Sequence, residues 1–513
     1  MHRNVMLGLL LATFLALALR CPDLSVRPMH NDEAVNAVKL QQMLGQGSYR
    51  YDPNEHHGPT LYYAAYVWTK ISGVTDSPPL SEGRLRGLTV LFGLGLIWLL
   101  PLVVDGLGRG AMIWSGILIA LSPAMVFYSR YFIHEMPLVF FTFLALAAFW
   151  RHYRSGKIYW ALISGAAVGL MQSTKETFVL SVAAAVVALL LNKLWTHSSD
   201  AFELKRKAFK PLAVGLVAWG VVAVIFFSSF FTHAGGVLDS VRTYLPWLNR
   251  AAGNSPHIHP WSFYLSRLAW FHVPGGPVWS EAFILALAAI GIFVAFTGKV
   301  RTGAKPNFLR FVAIYTLVLA AAYSLIAYKT PWCLLGFWHG AILLAGVGAV
   351  AMWRWAKRRW MKMAVGLLLF TGTGHLAFQA WQASENYSAD RRNPYVYAQT
   401  SPDLLELVEK VNALAQVSAQ KFHLSISVSA LENDYWPLPW YLRAFDQVGW
   451  STELPGESPA PVMIVSTQFA AKLDERNSHQ AAGVFELRPG VFLALYVEAE
   501  LWRAYLNSKP SGH

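Results

Sequence analysis

Two adjacent carboxylates, Asp32 and Glu33, follow the first apolar run of the chain in the stretch RPMHNDEAVNA, and His30 precedes them. Carboxylates and imidazoles are groups that can transfer protons or bind charged ligands. A plain loop needs polarity, but it does not need two like charges side by side, which repel when solvent is scarce. The alternative is structural, because acids in the first turn of a helix are stabilised by its dipole by roughly 0.3–1 kcal/mol each.

Similar ionisable groups follow later in the same stretch of chain, at residues 55–57, and recur in several more distant loops. They are Glu55, His56, His57, Arg130, Glu135, Lys175, Glu176 and Lys329. Ionisable groups at membrane depth are costly and usually line a site or a water-filled cavity. We therefore expect these side chains and the acid pair to converge in one wet pocket.

These groups also have simpler explanations. Lys175 could pair with Glu176 and extend its ammonium towards water. Glu135 could pair with Arg130 or cap the helix that follows it. The histidines could be hydrogen-bonding groups at the membrane interface, which the residue type alone favours over a role as metal ligands.

The composition is that of a multi-pass membrane protein. The 513 residues are 55% hydrophobic and 14% charged, with 21 Trp, whereas soluble chains are about 25% charged. The net charge of +13 comes from short clusters of bases between apolar runs, which indicates membrane topology and excludes nucleic-acid binding. No Gly-rich phosphate loop occurs, so we expect no nucleotide cofactor.

Cysteines and closely spaced histidines give weaker signals. The two cysteines, Cys21 and Cys333, exclude a disulfide framework and a thiolate metal cage, and leave either one bridge or two separate thiols. His257 and His259 in NSPHIHPW have a spacing seen in metal sites, but two residues alone do not define one, and we interpret them as loop residues.

Apolar runs predict about eleven membrane-spanning helices. They lie near 5–20, 85–104, 111–128, 136–152, 158–172, 177–194, 211–231, 281–297, 310–327, 334–352 and 363–380. The first run could be a signal peptide, but no small-residue cleavage site follows it, so we interpret it as an uncleaved span.

The base clusters predict the orientation of these spans, since Lys and Arg concentrate in cytoplasmic loops. With a cytoplasmic N-terminus, clusters such as RHYRSGK and WRWAKRRWMKM all fall inside, and a long first loop, 21–84, falls outside. The acids and histidines then share the outer face. An odd number of spans also places the tail outside, whereas an error of one span would place it in the cytoplasm.

The sequence after Trp381 predicts a separate small domain without a span. SPDLLELVEKVNALAQ is typical of an amphipathic helix, and FHLSISVSA, APVMIVSTQ and GVFLALYVE are typical of strands. In the first outer loop, NDEAVNAVKLQQMLGQG predicts a short helix capped by Asn31. The fold class is thus an all-α polytopic membrane protein, 1–382, with a C-terminal α/β extracytoplasmic domain, 383–513.

This order of motifs resembles the GT-C superfamily of membrane glycosyltransferases, which includes the protein O-mannosyltransferases and the lipid A aminoarabinose transferase. Members of this superfamily have an acid pair in the first outer loop and a further acid after the third span. HNDEAVNA, YDPNEHHGPTLYY, YSRYFIHEMPLVFF, STKETF and YKTPW resemble more narrowly a prokaryotic subgroup associated with a flippase-linked N-glycosylation protein. RNPYVYAQTSPD and WPLPWYLR in the tail resemble the same subgroup.

The resemblance implies the chemistry of the site. Asp32, Glu33 and Glu135 match the positions of the family's catalytic acids, and Glu33 and Glu135 would hold a divalent cation, Mg or Mn, where one is used. No clear DxD motif follows the third span. Substrate contacts are then expected from His30, His56, His57, Arg130, Lys175, Glu176, Lys329 and Trp332.

The resemblance also implies the partners. The donor would be a sugar on a polyprenyl phosphate, transferred with inversion to a lipid, glycan or protein acceptor at the outer face of the cytoplasmic (inner) membrane, among membrane lipids. The alternative is a transporter or flippase-associated protein that binds a lipid-linked sugar without chemistry, because intramembrane charges also mark transport pathways. Transporters often consist of repeated halves, however, and no internal repeat is present here.

Overall fold

The computed structural model describes residues 3–54, 57–73, 80–195, 209–252, 257–298, 303–453, 459–469 and 478–508. The chain divides into two compact units. The helical unit comprises Met1–Leu24, Met43–Ser388 and Arg392–Tyr397. The sheet unit comprises Ser25–Gln42, Ala389–Arg391 and Ala398–His513, so the segment with the acid pair belongs to it.

Helices dominate the chain up to residue 384. In order they are α1 (Arg3–Arg20), α2 (Asn31–Gln46), α3 (Thr60–Ile71), α4 (Glu82–Leu99), α5 (Val104–Leu107), α6 (Arg109–Leu121), α7 (Pro123–Ser129), α8 (Glu135–Ser155), α9 (Ile158–Gln172), α10 (Phe178–Trp195), α11 (Phe209–Phe227), α12 (Gly235–Arg242), α13 (Tyr244–Ala252), α14 (Phe263–Ala269), α15 (Ala282–Thr297), α16 (Pro306–Leu325), α17 (Leu335–Trp355) and α18 (Arg359–Ser384). Short 3₁₀ turns precede α5 and α17. Every predicted span corresponds to one of these helices or to a pair of them.

Within the described residues, eight helices are long and apolar enough to cross a membrane, or nine if the bent pair α6 and α7 is one span. The helices α9 and α15 are apolar but shorter. The chain is therefore a multi-pass membrane protein, as predicted, while the number of eleven spans stays a prediction. The 59° bend between α6 and α7 has a local cause, because Pro123 starts α7 and Ser122 caps it through the Met125 N–H.

A buried carboxylate, Glu281, joins three parts of the helical unit. Its oxygens accept hydrogen bonds from Ser122 Oγ (2.5 Å), the Ala124 N–H (3.0 Å) and Tyr395 Oη (2.6 Å). Trp338 Nε1 on α17 is a longer fourth donor at 3.3 Å. Glu281 thereby fixes the start of α7 and the segment Arg392–Tyr397.

The sheet unit contains α19 (Asp403–Val417), β1 (Ile426–Ser429), α20 (Leu438–Tyr441), β2 (Val448–Ser451), β3 (Val462–Ser466), β4 (His479–Arg488), β5 (Val491–Glu498) and α21 (Ala499–Ser508). The strand order is β2-β1-β3-β5-β4. β1 pairs in parallel with β2 and β3, whereas β5 runs antiparallel to β3 and β4. Leu404, Leu407, Val411 and Leu414 of α19 are buried in a core with Ile426, Val428, Val462, Ile464, Leu493 and Leu495 of the sheet.

The predicted helix α19 and the strands β1, β3 and β5 are confirmed, as is the helix α2 in the first loop. The predicted cap of α2 is wrong, because the Ala34 N–H bonds to the His30 carbonyl, which makes His30 the N-cap and Asn31 the first helical residue. The edge strands were not predicted, because β2 has only four residues and β4 lacks a regular alternation of buried and exposed positions. β4 also contains register shifts between Ala481 and Gly483 and between Glu486 and Arg488. The two cysteines are free thiols, so no bridge joins them.

Replacing Glu281 should test its role in the fold. Glu281→Ala would leave Tyr395 Oη and the Ala124 N–H buried without an acceptor, at roughly 1–3 kcal/mol for each unsatisfied group. We expect a clear fall in melting temperature in detergent and a smaller fall for Glu281→Gln, which keeps one acceptor oxygen. Glu409→Ala, at an exposed position of α19, is the control. Equal melting temperatures for Glu281→Ala and the control would contradict this role.

Candidate active site

The acid pair lies at the start of α2, but its two members have different surroundings. Glu33 is fully buried, and its Oε2 accepts a hydrogen bond from the His30 N–H at 3.0 Å. Since the His30 carbonyl accepts the first helical bond from Ala34, Glu33 reaches back to the N-cap residue as in a capping box. Arg27 Nη2 contacts both Glu33 oxygens, at 3.3 and 3.2 Å. Glu33 therefore stabilises the helix start.

Asp32, in contrast, is accessible. Its side chain is 49% exposed, and one oxygen lies 4.0 Å from His30 Nδ1. The Asp32 backbone N–H donates to the same His30 nitrogen at 3.1 Å. Of the acid pair, therefore, only Asp32 presents a carboxylate that an incoming hydroxyl could reach.

In the helical unit, Glu135 forms an ion pair with Lys175. Both side chains are buried, and Lys175 Nζ donates to Glu135 Oε1. Burial alone would lower the pKa of the Lys175 ammonium, but the Glu135 carboxylate outweighs this and raises it. The alternative pairings, Glu135 with Arg130 and Lys175 with Glu176, are therefore wrong, because Glu135 and Lys175 pair with each other.

A second pair forms next to it, between Glu176 and His57. His57 Nδ1 lies 2.7 Å from Glu176 Oε2, and the Thr243 hydroxyl and the Tyr244 hydroxyl lie near the same residue. Burial would raise the pKa of the Glu176 carboxyl, but His57 and then Lys175 outweigh it, so the pKa lies below its usual value. The ionised carboxylate orients the half-exposed His57 ring.

The loop with His57 lies unusually close to the loop with Lys175. A Cβ on Gly58 would meet the Ser173 carbonyl oxygen at 2.2 Å, so only glycine fits there. The Thr60 N–H donates to that carbonyl at 2.9 Å, and His134 Nε2 lies 3.2 Å from the Gly58 oxygen. This contact holds both ion pairs side by side.

Lys329 belongs to a separate group of cations and imidazoles. Its Nζ donates to the carbonyls of His259 (2.9 Å) and Ile326, and burial lowers the pKa of its ammonium. Two imidazoles, His257 Nδ1 and His259 Nε2, lie 2.7 and 2.9 Å from Tyr397 Oη. The loops of His257 and Lys329 pair through an antiparallel bridge between Ile258 and Tyr328.

Arg267 extends this group. Its guanidinium lies 3.6 Å from the centre of the Phe263 ring, on which His259 stacks at 4.2 Å. Burial lowers the pKa of Arg267, and its Nε donates to the Pro394 carbonyl. Within the described part of the chain, neither Arg267 nor Lys329 forms an ion pair with a carboxylate. We call Lys329, Arg267, His257 and His259 the cation cluster.

The remaining predicted residues have varied surroundings. Trp332 lines a cavity of about 20 Å³ with Glu135 and Lys175, which has room for about one water. Arg130 Nη1 pairs with Glu385 at 2.5 Å and donates to the Leu19 carbonyl. His56 lies outside the described residues.

The predicted metal ligands do not fit a divalent cation in this arrangement. Glu33 and Glu135 each already contact a cationic side chain, Arg27 and Lys175. Across the described ranges, no group of three or more His, Cys, Asp or Glu side chains could hold a metal ion. Hard cations such as Mg²⁺ need several free oxygens, which these two carboxylates do not offer.

Several residues of the site were not predicted from the sequence. Arg267 lies in a short helix without a recognisable motif, Tyr397 lies in the RNPYVYAQTSPD stretch but was given no role, and Glu281 directly precedes an apolar helix. Glu281 carried a signal, because a lone acid beside a predicted span is costly and usually has partners. The importance of Tyr397 could not be inferred, since it depends on contacts with residues 140 and 138 positions away.

Breaking the Glu135–Lys175 pair should be costly. Lys175→Met leaves a buried carboxylate without its cation, and we expect a loss of roughly 3–5 kcal/mol in the free energy of unfolding. Adding Glu135→Gln should recover part of this loss, because the double variant no longer buries a lone charge. Denaturant unfolding of the single and double variants measures the coupling. Strictly additive effects of the two substitutions on the free energy of unfolding would contradict a direct Glu135–Lys175 pair.

Comparison with known proteins relates this architecture to membrane glycosyltransferases. The sequence profile of the family Dolichyl-phosphate-mannose-protein mannosyltransferase matches residues 61–235. No curated protein matches the chain by sequence.

Solved structures match over nearly the whole chain. The crystal structure of ArnT from Cupriavidus metallidurans bound to undecaprenyl phosphate has a TM-score of 0.63 and 16% identity, covering 97% of this chain and 98% of that one. The apo ArnT structure gives a TM-score of 0.62 with the same identity and coverage.

A more distant match is the arabinofuranosyltransferase AftD from Mycobacteria, with a TM-score of 0.50 and 11% identity over 97% of this chain and 40% of that one. The narrower likeness to the flippase-associated subgroup stays a prediction. The chain has the fold of ArnT, one of the two groups of proteins that its motifs resemble.

Proposed function

We propose that the protein transfers a sugar from a polyprenyl phosphate to an acceptor hydroxyl. The observation that carries the proposal is the cation cluster, whose Lys329 and Arg267 no described carboxylate neutralises. Buried cations without a carboxylate attract an anion of matching size, and a phosphate is such an anion. The ArnT-like fold and the mannosyltransferase profile support the same substrate class.

The donor phosphate binds at the cation cluster in this proposal. An ammonium has three donors, and Lys329 uses two of them on the His259 and Ile326 carbonyls, which leaves one for a phosphate oxygen. Tyr397 Oη has one hydrogen to donate, so one of the two imidazoles that contact it accepts this hydrogen and keeps an N–H on its other nitrogen for a phosphate oxygen. Trp332, whose ring lies 6.1 Å from that of Tyr397, belongs to the wall of this site.

The reaction we propose is a single displacement. Asp32 takes the proton of the acceptor hydroxyl, whose oxygen forms a bond to the anomeric carbon of the sugar. The bond from that carbon to the phosphate oxygen breaks, and its electron pair stays on the phosphate. One displacement inverts the anomeric carbon. A positioned base contributes about 10²–10⁴-fold, and cations beside the developing charge of the phosphate add to this.

Glu33 supports this step by holding the start of α2, and Glu135 by holding Lys175 in place. The reaction needs no divalent cation at these residues, since both carboxylates already contact a cationic side chain.

We also propose that the protein lies in the cytoplasmic membrane, with the N-terminus in the cytoplasm and the C-terminal domain outside. The distribution of Lys and Arg supports this orientation. The sugar would then be transferred at the outer face.

Removing the base should abolish transfer without unfolding the protein. We expect Asp32→Asn to lower the transfer rate by about 10²–10⁴-fold, because amide groups do not accept the proton. The melting temperature should stay unchanged, since the Asp32 side chain is half exposed. Rates are measured with purified protein and polyprenyl-phosphate sugars. Asp23→Asn, in the same loop, is the control, and full activity of Asp32→Asn would remove it as the base.

Lys329 should control donor affinity through its charge. We expect Lys329→Ala to weaken binding of a polyprenyl phosphate at least tenfold, or about 1.4 kcal/mol, while Lys357→Ala at an exposed position has no effect. Because burial lowers the pKa of Lys329, its charge is present below that pKa and is lost as pH rises through it. Affinity should therefore fall at a pH below the ordinary lysine value of about 10.4. Equal affinities of Lys329→Ala and wild type would exclude the phosphate role.

A further inference from the structure

A large cavity in the helical unit lies apart from the residues assigned to the cation cluster. Its volume is about 710 Å³, within the range of sites for ligands of considerable size. It is formed by the end of α2, α3, α8, α9, the end of α11 and the turn that follows. The lining residues are Met43, Gly47, Ser48, Tyr49, Thr60, Tyr63, Ala64, Tyr66, Val67, Phe141, Leu170, Phe226, Ser229, Phe230 and Thr232. We call it the tyrosine cavity.

The wall combines apolar rings with hydroxyl groups. Tyr63 packs edge-on against Phe226 and Phe230, with ring centres 5.7 and 4.8 Å apart. The Thr60 hydroxyl is buried and has no hydrogen-bond partner among the residues that the structure describes. A buried hydroxyl without a partner is costly, and a ligand that supplies the missing hydrogen bond removes this cost. The wall therefore suits a molecule with both an aliphatic part and polar groups.

The backbone at one side of the tyrosine cavity is strained. Ser229, Phe230 and Phe231 have φ angles of 50°, 55° and 70°, in the left-handed region that residues with a Cβ disfavour. Hydrogen bonds from the Phe230 N–H to Ile225 and from the His233 N–H to Ser228, both 2.8 Å, hold the turn. Such strain concentrates at ligand-binding positions. Here it presents Ser229 and Phe230 to the cavity.

Charge separates this cavity from the phosphate site. Thr60, in its wall, is bonded to the loop of Lys175 and Glu176 through the Ser173 carbonyl. In that loop Lys175 is neutralised by Glu135, and Glu176 adds a negative charge that His57 offsets only when protonated. A phosphate gains nothing beside such a group, whereas a neutral hydroxyl does not require a net positive charge.

We propose that the tyrosine cavity binds the acceptor, and that the acceptor is a lipid with a hydroxylated head group. The aliphatic chain packs on Phe141, Leu170 and Phe226, and a head-group hydroxyl bonds to Thr60. A single sugar would leave much of this volume empty, and a water-soluble acceptor would not need a wall of apolar rings. This inference rests on the proposed function, since it names the acceptor class of that reaction.

Photocrosslinking in lipid nanodiscs tests the proposal with the full chain. The probe is an alkyl glycoside with a diazirine in its alkyl chain, and labelled peptides are mapped by mass spectrometry. We expect labelling in residues 43–49, 60–67 and 226–232. Ala64→Trp, which fills the cavity, should lower the labelling about tenfold, because the inserted ring leaves no room for the alkyl chain of the probe. Leu190→Trp, at an exposed apolar position of α10, is the matched control and should label like wild type.

A second arm distinguishes the acceptor from the donor. Excess polyprenyl phosphate without a sugar should leave the labelling unchanged, and Ala64→Trp should bind polyprenyl phosphate with wild-type affinity. Displacement of the probe would show that the cavity holds the tail of the donor and would overturn the proposal, as would labelling that Ala64→Trp does not reduce. Loss of donor binding in Lys329→Ala is measured in the same nanodiscs, so the proposed function stands or falls separately.

Discussion

One buried carboxylate positions much of the helical unit. Glu281 gathers donors from the neighbouring residues Ser122 and Ala124 and from Tyr395, which lies far from both in the chain. A carboxylate at membrane depth is stable only when such donors surround it, so these segments cannot separate without exposing a lone charge. The segment Arg392–Tyr397 is held here, and it carries Tyr397, which fixes both imidazoles of the cation cluster. A structural carboxylate thus determines where the residues of the cation cluster lie.

The titratable groups of the helical unit form two sets, one in which carboxylates offset the cations and one in which they do not. In the loops around Lys175, its ammonium faces the Glu135 carboxylate and His57 faces the Glu176 carboxylate, so no excess positive charge remains. In the cation cluster, Lys329 and Arg267 contact carbonyls and aromatic rings instead. Low dielectric makes this difference large, because an uncompensated charge attracts a counterion far more strongly inside a protein than in water. A glycosyl transfer needs both environments, one for an anionic leaving group and one for a neutral nucleophile.

The sequence predicted the helices well and the roles of individual acids less well. Long apolar runs and base clusters depend only on composition, so the spans, α2 and α19 could be located from local pattern. Asp32 and Glu33 look equivalent in sequence, and only the capping contact of Glu33 with His30 separates them. Likewise, the partner of Glu135 could have been Arg130, which is closer in sequence, but Arg130 pairs with Glu385, 255 positions away. Pairing over such separations is a property of the packed fold.

The difference between Asp32 and Glu33 also bears on how an acid pair can be used. Two neighbouring carboxylates repel, and the repulsion is lowest when one of them is neutralised by a fixed cation. Arg27 does this for Glu33, and the N-cap bond of the same side chain anchors the helix. The negative charge that remains is that of Asp32, placed at the rigid first turn of a helix and not on a free loop. A base held in this way needs little reorganisation to accept a proton, which is the condition for efficient general-base catalysis.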